Sequence, residues 1–262
     1  MKCFVGLVAV LLLLAPGSAL AMWHSHMDDA TVDTYEGDPL WWPTREMLAG
    51  WAQEGIDAAG ADAPFLKIPG IADWLWTGRT PCGFGDTLEF MVMLTPQLHA
   101  TAIGYAAAWK KATWDRIQAG EPVADEIAGR LWQENAEPKL GILAGIRRWD
   151  GDVAVAISER QWAAIAYQGR WQRLASSGGG SLERAMMHPK AVEYHREFTP
   201  SYLLSQLMYQ VEEPWDVSVL RLQWPRRSDT GIWGEFADAI GDVPDGLRVV
   251  VGRPEEYAFV EF

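Results

Sequence analysis

Beyond Lys139 the apolar residues come in short blocks cut off by Gly, Pro, Asp and Ser, and blocks of that length suit strands better than long helices. Leu140 to Trp149 and Val153 to Ile157 flank Asp150-Gly151-Asp152, and an Asp-Gly turn between two apolar runs predicts a hairpin. Gln161 to Leu174 alternates imperfectly and runs into Ser176-Ser177-Gly178-Gly179-Gly180-Ser181, which reads as a flexible loop. Leu182 to Met187 suffices for one helical turn. Tyr194 to Val211 predicts one or two strands bent at Pro200. Val217 to Trp224 alternates cleanly, and Leu247 to Val251 joins Tyr257 to Phe262 through Gly252-Arg253-Pro254-Glu255 as a closing hairpin. Thr87 to Leu94 adds a strand ahead of these. The pattern predicts an α+β fold: a mainly antiparallel sheet or β-sandwich, with a helical hairpin packed on it or inserted beside it.

The hairpin lies at about residues 95–136. Thr95 is placed to cap a helix and Pro96 to fill its first turn, where a missing N–H does no harm. Leu98, Ala102, Tyr105, Ala106, Trp109, Thr113 and Ile117 then recur at three and four residues until Gly120 and Pro122. A second helix, about Pro122 to Asn135, sets Ala124, Ile127, Ala128 and Leu131 on one side. Upstream, Thr44 begins a short helix through Met47, Leu48 and Trp51, and residues 57–86 carry repeated Gly and Pro that predict loops with brief strand or turn segments.

The N-terminus predicts the compartment. A charged Met1-Lys2, an apolar run from Phe4 to Leu14, a Pro16-Gly17-Ser18 break and Ala19-Leu20-Ala21 have the order of a secretory signal peptide, and the run is too short for a membrane span. Cleavage after Ala21 is expected, and no Cys stands there to support a lipoprotein. The expected organisation is a signal peptide (1–21), an irregular N-terminal arm with one short helix (22–86) and a sheet-rich domain holding the helical hairpin (87–262). A secreted or periplasmic protein follows, with no membrane insertion once the signal is gone.

Charge and cysteine use narrow the chemistry. The chain has 22 Lys and Arg against 35 Asp and Glu, a formal net of −13, so it has no general attraction to nucleic acid or anionic lipid. The pairs Arg147-Arg148 and Arg226-Arg227 read as solvated strand ends. With Cys3 lost in the signal, Cys82 is alone and no intramolecular disulfide can form; burial is the plain reading of such a residue. The 15 Trp could serve a core, carbohydrate stacking or an interface equally well.

Each candidate site has an ordinary counterpart. Cleavage after Ala21 would begin the mature chain Met22-Trp23-His24, and an amine, two amides and the His24 imidazole can hold Cu(II) or Ni(II) in a square plane, with His26 and Met27 close by; the ordinary reading is a tail that carries two histidines. Cys82, in Pro81-Cys82-Gly83-Phe84-Gly85, could act as a nucleophile with His99, His188 or His195 as base, yet no family signature accompanies it. His188 and His195 lack metal-ligand spacing, and a polar surface pair is the default. Ser177-Gly178-Gly179-Gly180-Ser181 lacks the Lys of a phosphate-binding loop and reads as linker. No G-x-S-x-G is present. The adjacent acids Asp28-Asp29 and Glu255-Glu256 read as solvated surface.

These residues favour a non-catalytic binding or interaction module whose exposed aromatic or arm region meets a partner protein, a polymer ligand or the cell envelope. The alternatives are a periplasmic copper-handling protein using His24 and His26, and a hydrolase of envelope or carbohydrate polymers with a Trp-lined cleft.

Overall fold

The computed structural model describes residues 43–134, 140–148, 162–167, 169–182, 200–224 and 234–262. The α+β expectation holds: two antiparallel sheets face each other and helices cover their outer sides. Sheet I has the order β1-β2-β3-β7-β6, built from β1 (Leu75–Pro81), β2 (Thr87–Leu94), β3 (Leu140–Arg147), β7 (Val217–Trp224) and β6 (Ala175–Ser181). Sheet II has the order β5-β4-β8-β9, from β5 (Arg170–Arg173), β4 (Trp162–Tyr167), β8 (Arg248–Arg253) and β9 (Glu256–Glu261).

Period-two alternation splits the strand side chains between two cores. Met91 and Met93 of β2 and Ile142 and Ala144 of β3 meet Ile165, Val249 and Val251 between the sheets. Val92, Leu94 and Leu143 point the other way, into a helical layer. A register shift between Leu88 and Phe90 marks a bulge at Glu89, which explains why residues two apart face opposite cores, Leu88 between the sheets and Phe90 toward the helices. The Phe90 ring fills the space over Gly145, where any Cβ would collide with it. The outer face of sheet II is closed by α7 (Gly234–Ile240), whose Phe236 and Ile240 cover Ala164 and Val250.

The helical layer rests on α1 (Arg45–Gly60) and α3 (Pro96–Ala108). Thr44 and Thr95 cap them as their sequences imply, accepting from the N–H groups of Met47 (3.3 Å) and Leu98 (3.1 Å). The two helices cross with their backbones touching: a Cβ on Gly55 would strike the Thr101 carbonyl, and one on Gly104 would strike that of Ala52. Next to α1 packs α5 (Val123–Glu134), with Val123, Ala124, Ile127, Ala128 and Leu131 inward. A short helix, α2 (Pro69–Ala72), joins this layer to β1.

Four expectations are corrected. The single stripe drawn from Leu98 to Ile117 is two helices, because Lys110 is extended (φ −84°, ψ 116°) and α4 (Lys111–Gln118) starts afresh beyond it. The packing explains the break: α3 is buried almost all round, whereas no residue of α4 is buried. The Gly-rich stretch expected to be a loop is β6, held by its ladder to β7 with Gly179 opposite Leu220 and Gly180 opposite Val219. Within the span read as bent strands, α6 (Pro200–Met208) is a helix whose Leu203, Leu204 and Leu207 enter the helical core at helical spacing. Finally, both edges of β3 are taken, by β2 and β7, over the residues expected to start an Asp-Gly hairpin, and the turn itself lies outside the described residues.

Candidate functional site

Of the residues singled out by sequence, the described Cys82 and His99 do not converge. His24, His26, His188, His195, Asp28-Asp29 and Arg226-Arg227 lie outside the described residues. Cys82 and His99 are both buried, but at opposite ends of β2: the Cys82 N–H donates to the Asp86 carbonyl just before the strand, and His99 stands in α3 after it. Eight strand residues at about 3.3 Å each put about 26 Å between those ends. Burial pushes the Cys82 thiol up to about 12, with the nearby Asp86 and Glu256 carboxylates adding to the effect. A thiol so placed stays protonated at neutral pH and is no nucleophile. Glu255 in the β8–β9 turn and Glu256 at the start of β9 are exposed. Among the described residues no group of three or more His, Cys, Asp or Glu could hold a metal ion.

The Arg147-Arg148 pair is not a solvated strand end. Arg148 is buried, and the Arg147 Nε donates to Glu89 at 2.5 Å. Glu89, in its bulge, accepts from the Arg79 Nε with its other oxygen at 3.2 Å. Arg79 also pairs with Glu212 (2.9 Å), while Arg147 reaches Glu213 and Asp216 and donates to the Glu212 carbonyl. The network binds the segment ahead of β7 to the end of sheet I. Both oxygens of the buried Glu89 carboxylate are spent on guanidinium groups, so its arrangement is that of a clamp rather than of an acid–base catalyst.

A cleft of about 530 Å³ opens where α3, α4 and α5 meet. Its floor is apolar, with Ile103, Ala106 and Ala107 from α3 and Val123 and Ile127 from α5. Its rim is polar: Lys110 from the α3–α4 break, Thr113 and Arg116 from α4, and Glu126 and Arg130 from α5. The broken helix makes this shape, because the extended Lys110 turns α4 away from the axis of α3. Arg116 ties α4 down, with its Nε 2.5 Å from Glu121 and its Nη2 2.6 Å from Glu126; these carboxylates, Glu126 foremost, push its already high pKa further up. Lys110 is exposed and enters no ion pair with a described residue. It also occupies the cap position of α4 with no side-chain cap, although the N–H groups of Thr113 and Trp114 reach its carbonyl at 2.9 Å. Lysine at a helix start is unfavourable for the dipole and offers no acceptor to the first amides.

Sequence reading missed this cleft because an unbroken stripe over 98–117 leaves no notch. The signal was there in Trp109-Lys110-Lys111, three residues too polar or bulky to continue a helix buried on every side. No family model matches the chain, nor does any curated protein or solved structure. No helix among the described residues is long and apolar enough to cross a membrane.

Proposed function

We propose that the chain is an exported, non-catalytic binding protein that seats a small ligand in the cleft between α3, α4 and α5. The carrying observation is a cleft of about 530 Å³ lined by both apolar and charged side chains, a volume within the usual ~300–1,000 Å³ range of small-molecule sites. Neither Cys82 nor His99 lines it, and its polar residues offer contacts to a ligand rather than a nucleophile paired with a base. Export rests on the order of residues 1–21.

A fragment library of mixed charge, screened by methyl NMR with Ile103 and Ile127 as reporters, tests the seat. Fragments should shift both methyls, and Ala106→Trp, at an exposed position on the floor, should abolish the shifts without unfolding the protein. A library that leaves both methyls unmoved would dispose of the seat, and chemical turnover of a bound fragment would dispose of the non-catalytic reading.

A further inference from the structure

We propose that residues 209–216, between α6 and β7, form a docking surface for a basic segment of a partner protein. The proposal is separate from the cleft and does not depend on it. Tyr209 and Trp215 are the two most exposed large hydrophobic side chains among the described residues, at 85% and 64%. Other exposed rings are taken up within the fold: Phe84 by Arg253, Trp109 by Tyr105, and Phe259 by Tyr257 and Arg248. Among the described residues Tyr209 and Trp215 meet no ring or guanidinium, and neither the Tyr209 hydroxyl nor the Trp215 indole N–H has a hydrogen-bond partner. Rings left this far in water return little to folding, whereas Trp and Tyr are the side chains that contribute most to binding a partner.

The backbone that carries them is tied down. Val211 is anchored in the helical core, and the Arg147 guanidinium donates to the carbonyls of Glu212 and Glu213. Arg79 adds its pair to the Glu212 carboxylate at 2.9 Å. Glu213 takes the left-handed conformation (φ 46°, ψ 60°), and Pro214 then opens a 3₁₀ turn that holds Trp215. The Glu89 clamp thus fixes the segment while leaving its rings outside, and a segment ordered beforehand loses less entropy when a partner settles on it. Charge selects that partner. Two arginines, Arg79 and Arg147, meet four carboxylates here, and those of Glu212, Glu213 and Asp216 are mostly in water. The chain as a whole has a formal net charge of −13, which repels an anionic polymer. Carboxylates beside exposed rings suit Lys and above all Arg, which pairs with the one and lies over the other. Rings this exposed make an open surface, which fits a chain laid across it better than a small cation that needs enclosing.

NMR titration of the full mature chain tests this through the Trp215 indole N–H, identified as the signal missing from Trp215→Ser. The probes are a peptide of four Arg-Gly-Ser repeats, its Glu-Gly-Ser counterpart, and cellohexaose as a neutral sugar polymer. The arginine peptide should move the indole signal and bind at least tenfold more tightly than the other two, and its binding should weaken as salt is raised. Tyr209→Ser with Trp215→Ser should reduce that affinity about fivefold or more; both positions are exposed, and unchanged melting curves confirm the fold. Glu212→Gln with Glu213→Gln should weaken binding as well, whereas Glu255→Gln with Glu256→Gln, an exposed acid pair elsewhere, should not. If the arginine peptide leaves the indole signal unmoved, or if the double serine variant binds it like the parent, the docking surface is wrong. If loss of Glu255 and Glu256 weakens binding as much as loss of Glu212 and Glu213, the attraction is one of overall charge and the proposal fails. If cellohexaose moves the signal and the arginine peptide does not, the rings serve a sugar polymer and the basic partner is ruled out.

Discussion

The Cys82 proton is held by the folded protein long after the unfolded chain would have lost it. An unfolded thiol ionises near pH 9 and the folded one near 12, so between those values the unfolded state binds fewer protons. The contribution is fully present below pH 9 and declines by about 1.4 kcal/mol per pH unit above it. Urea melts at pH 8 and about pH 10.5 should therefore show the parent losing roughly 2 kcal/mol more than Cys82→Ala; equal losses would mean that the thiol is not sealed. Glu89 makes a second test. Glu89→Ala leaves Arg147, 19% exposed, without its inner partner, whereas Arg79 at 54% exposed is screened by water. We expect a loss of about 2 kcal/mol in denaturant midpoint measurements, below the ~3–5 kcal/mol of a fully buried pair. The burial of Cys82 was legible from residue type, because an unpaired cysteine is among the most buried of residues, even though its Gly-rich setting pointed the other way. The Glu89 clamp was not, since alternation along Thr87–Leu94 gives no warning that one residue is an extra and turns toward two arginines.

Among the elements, the crossing of α1 and α3 is the least tolerant of change. Gly104→Ala would drive a methyl into the Ala52 carbonyl, and backbone cannot rotate aside, so the helices must part; we expect a cost of about 3 kcal/mol by thermal or urea denaturation. Gly50→Ala, on the exposed face of α1 with no atom within 4 Å, should instead be neutral or stabilise by up to about 1 kcal/mol. At the other extreme, α4 buries no residue, and its amides should exchange with deuterium well before those of α3. Elements announced by caps and alternation were legible: Thr44 and Thr95 as helix starts, β2, β7 and the β8–β9 hairpin. Those decided by neighbours were not. The Gly run became a strand because β7 offered it a ladder, and Pro200 opened a helix because Leu203, Leu204 and Leu207 had a core to enter, although Thr199-Pro200 repeats the Thr95-Pro96 pattern. The cleft depends on the same kind of context, since only the crowding around α3 forces the chain to break at Lys110.

At the scale of the molecule, excess negative charge opposes compaction. Raising sodium chloride from about 10 to 200 mM shortens the Debye length from about 30 to below 10 Å, and the melting temperature should rise by a few degrees. A fall would mean that clamps such as Glu89 with its arginines outweigh the general repulsion. An antiparallel sheet or sandwich with a helical hairpin beside it was expected, because short strands with buried faces must stack on something, whereas α7 on the far side of sheet II was not.

The inner strands β2 and β3 of sheet I are covered on both faces, and cooperativity follows from that. Were the helices to lift away, Phe90, Val92 and Leu143 would meet water on the very strands whose reverse faces hold the sheets together, so the two interiors stand or fall as one. Near- and far-ultraviolet dichroism should then trace a single coincident melting transition rather than a staircase.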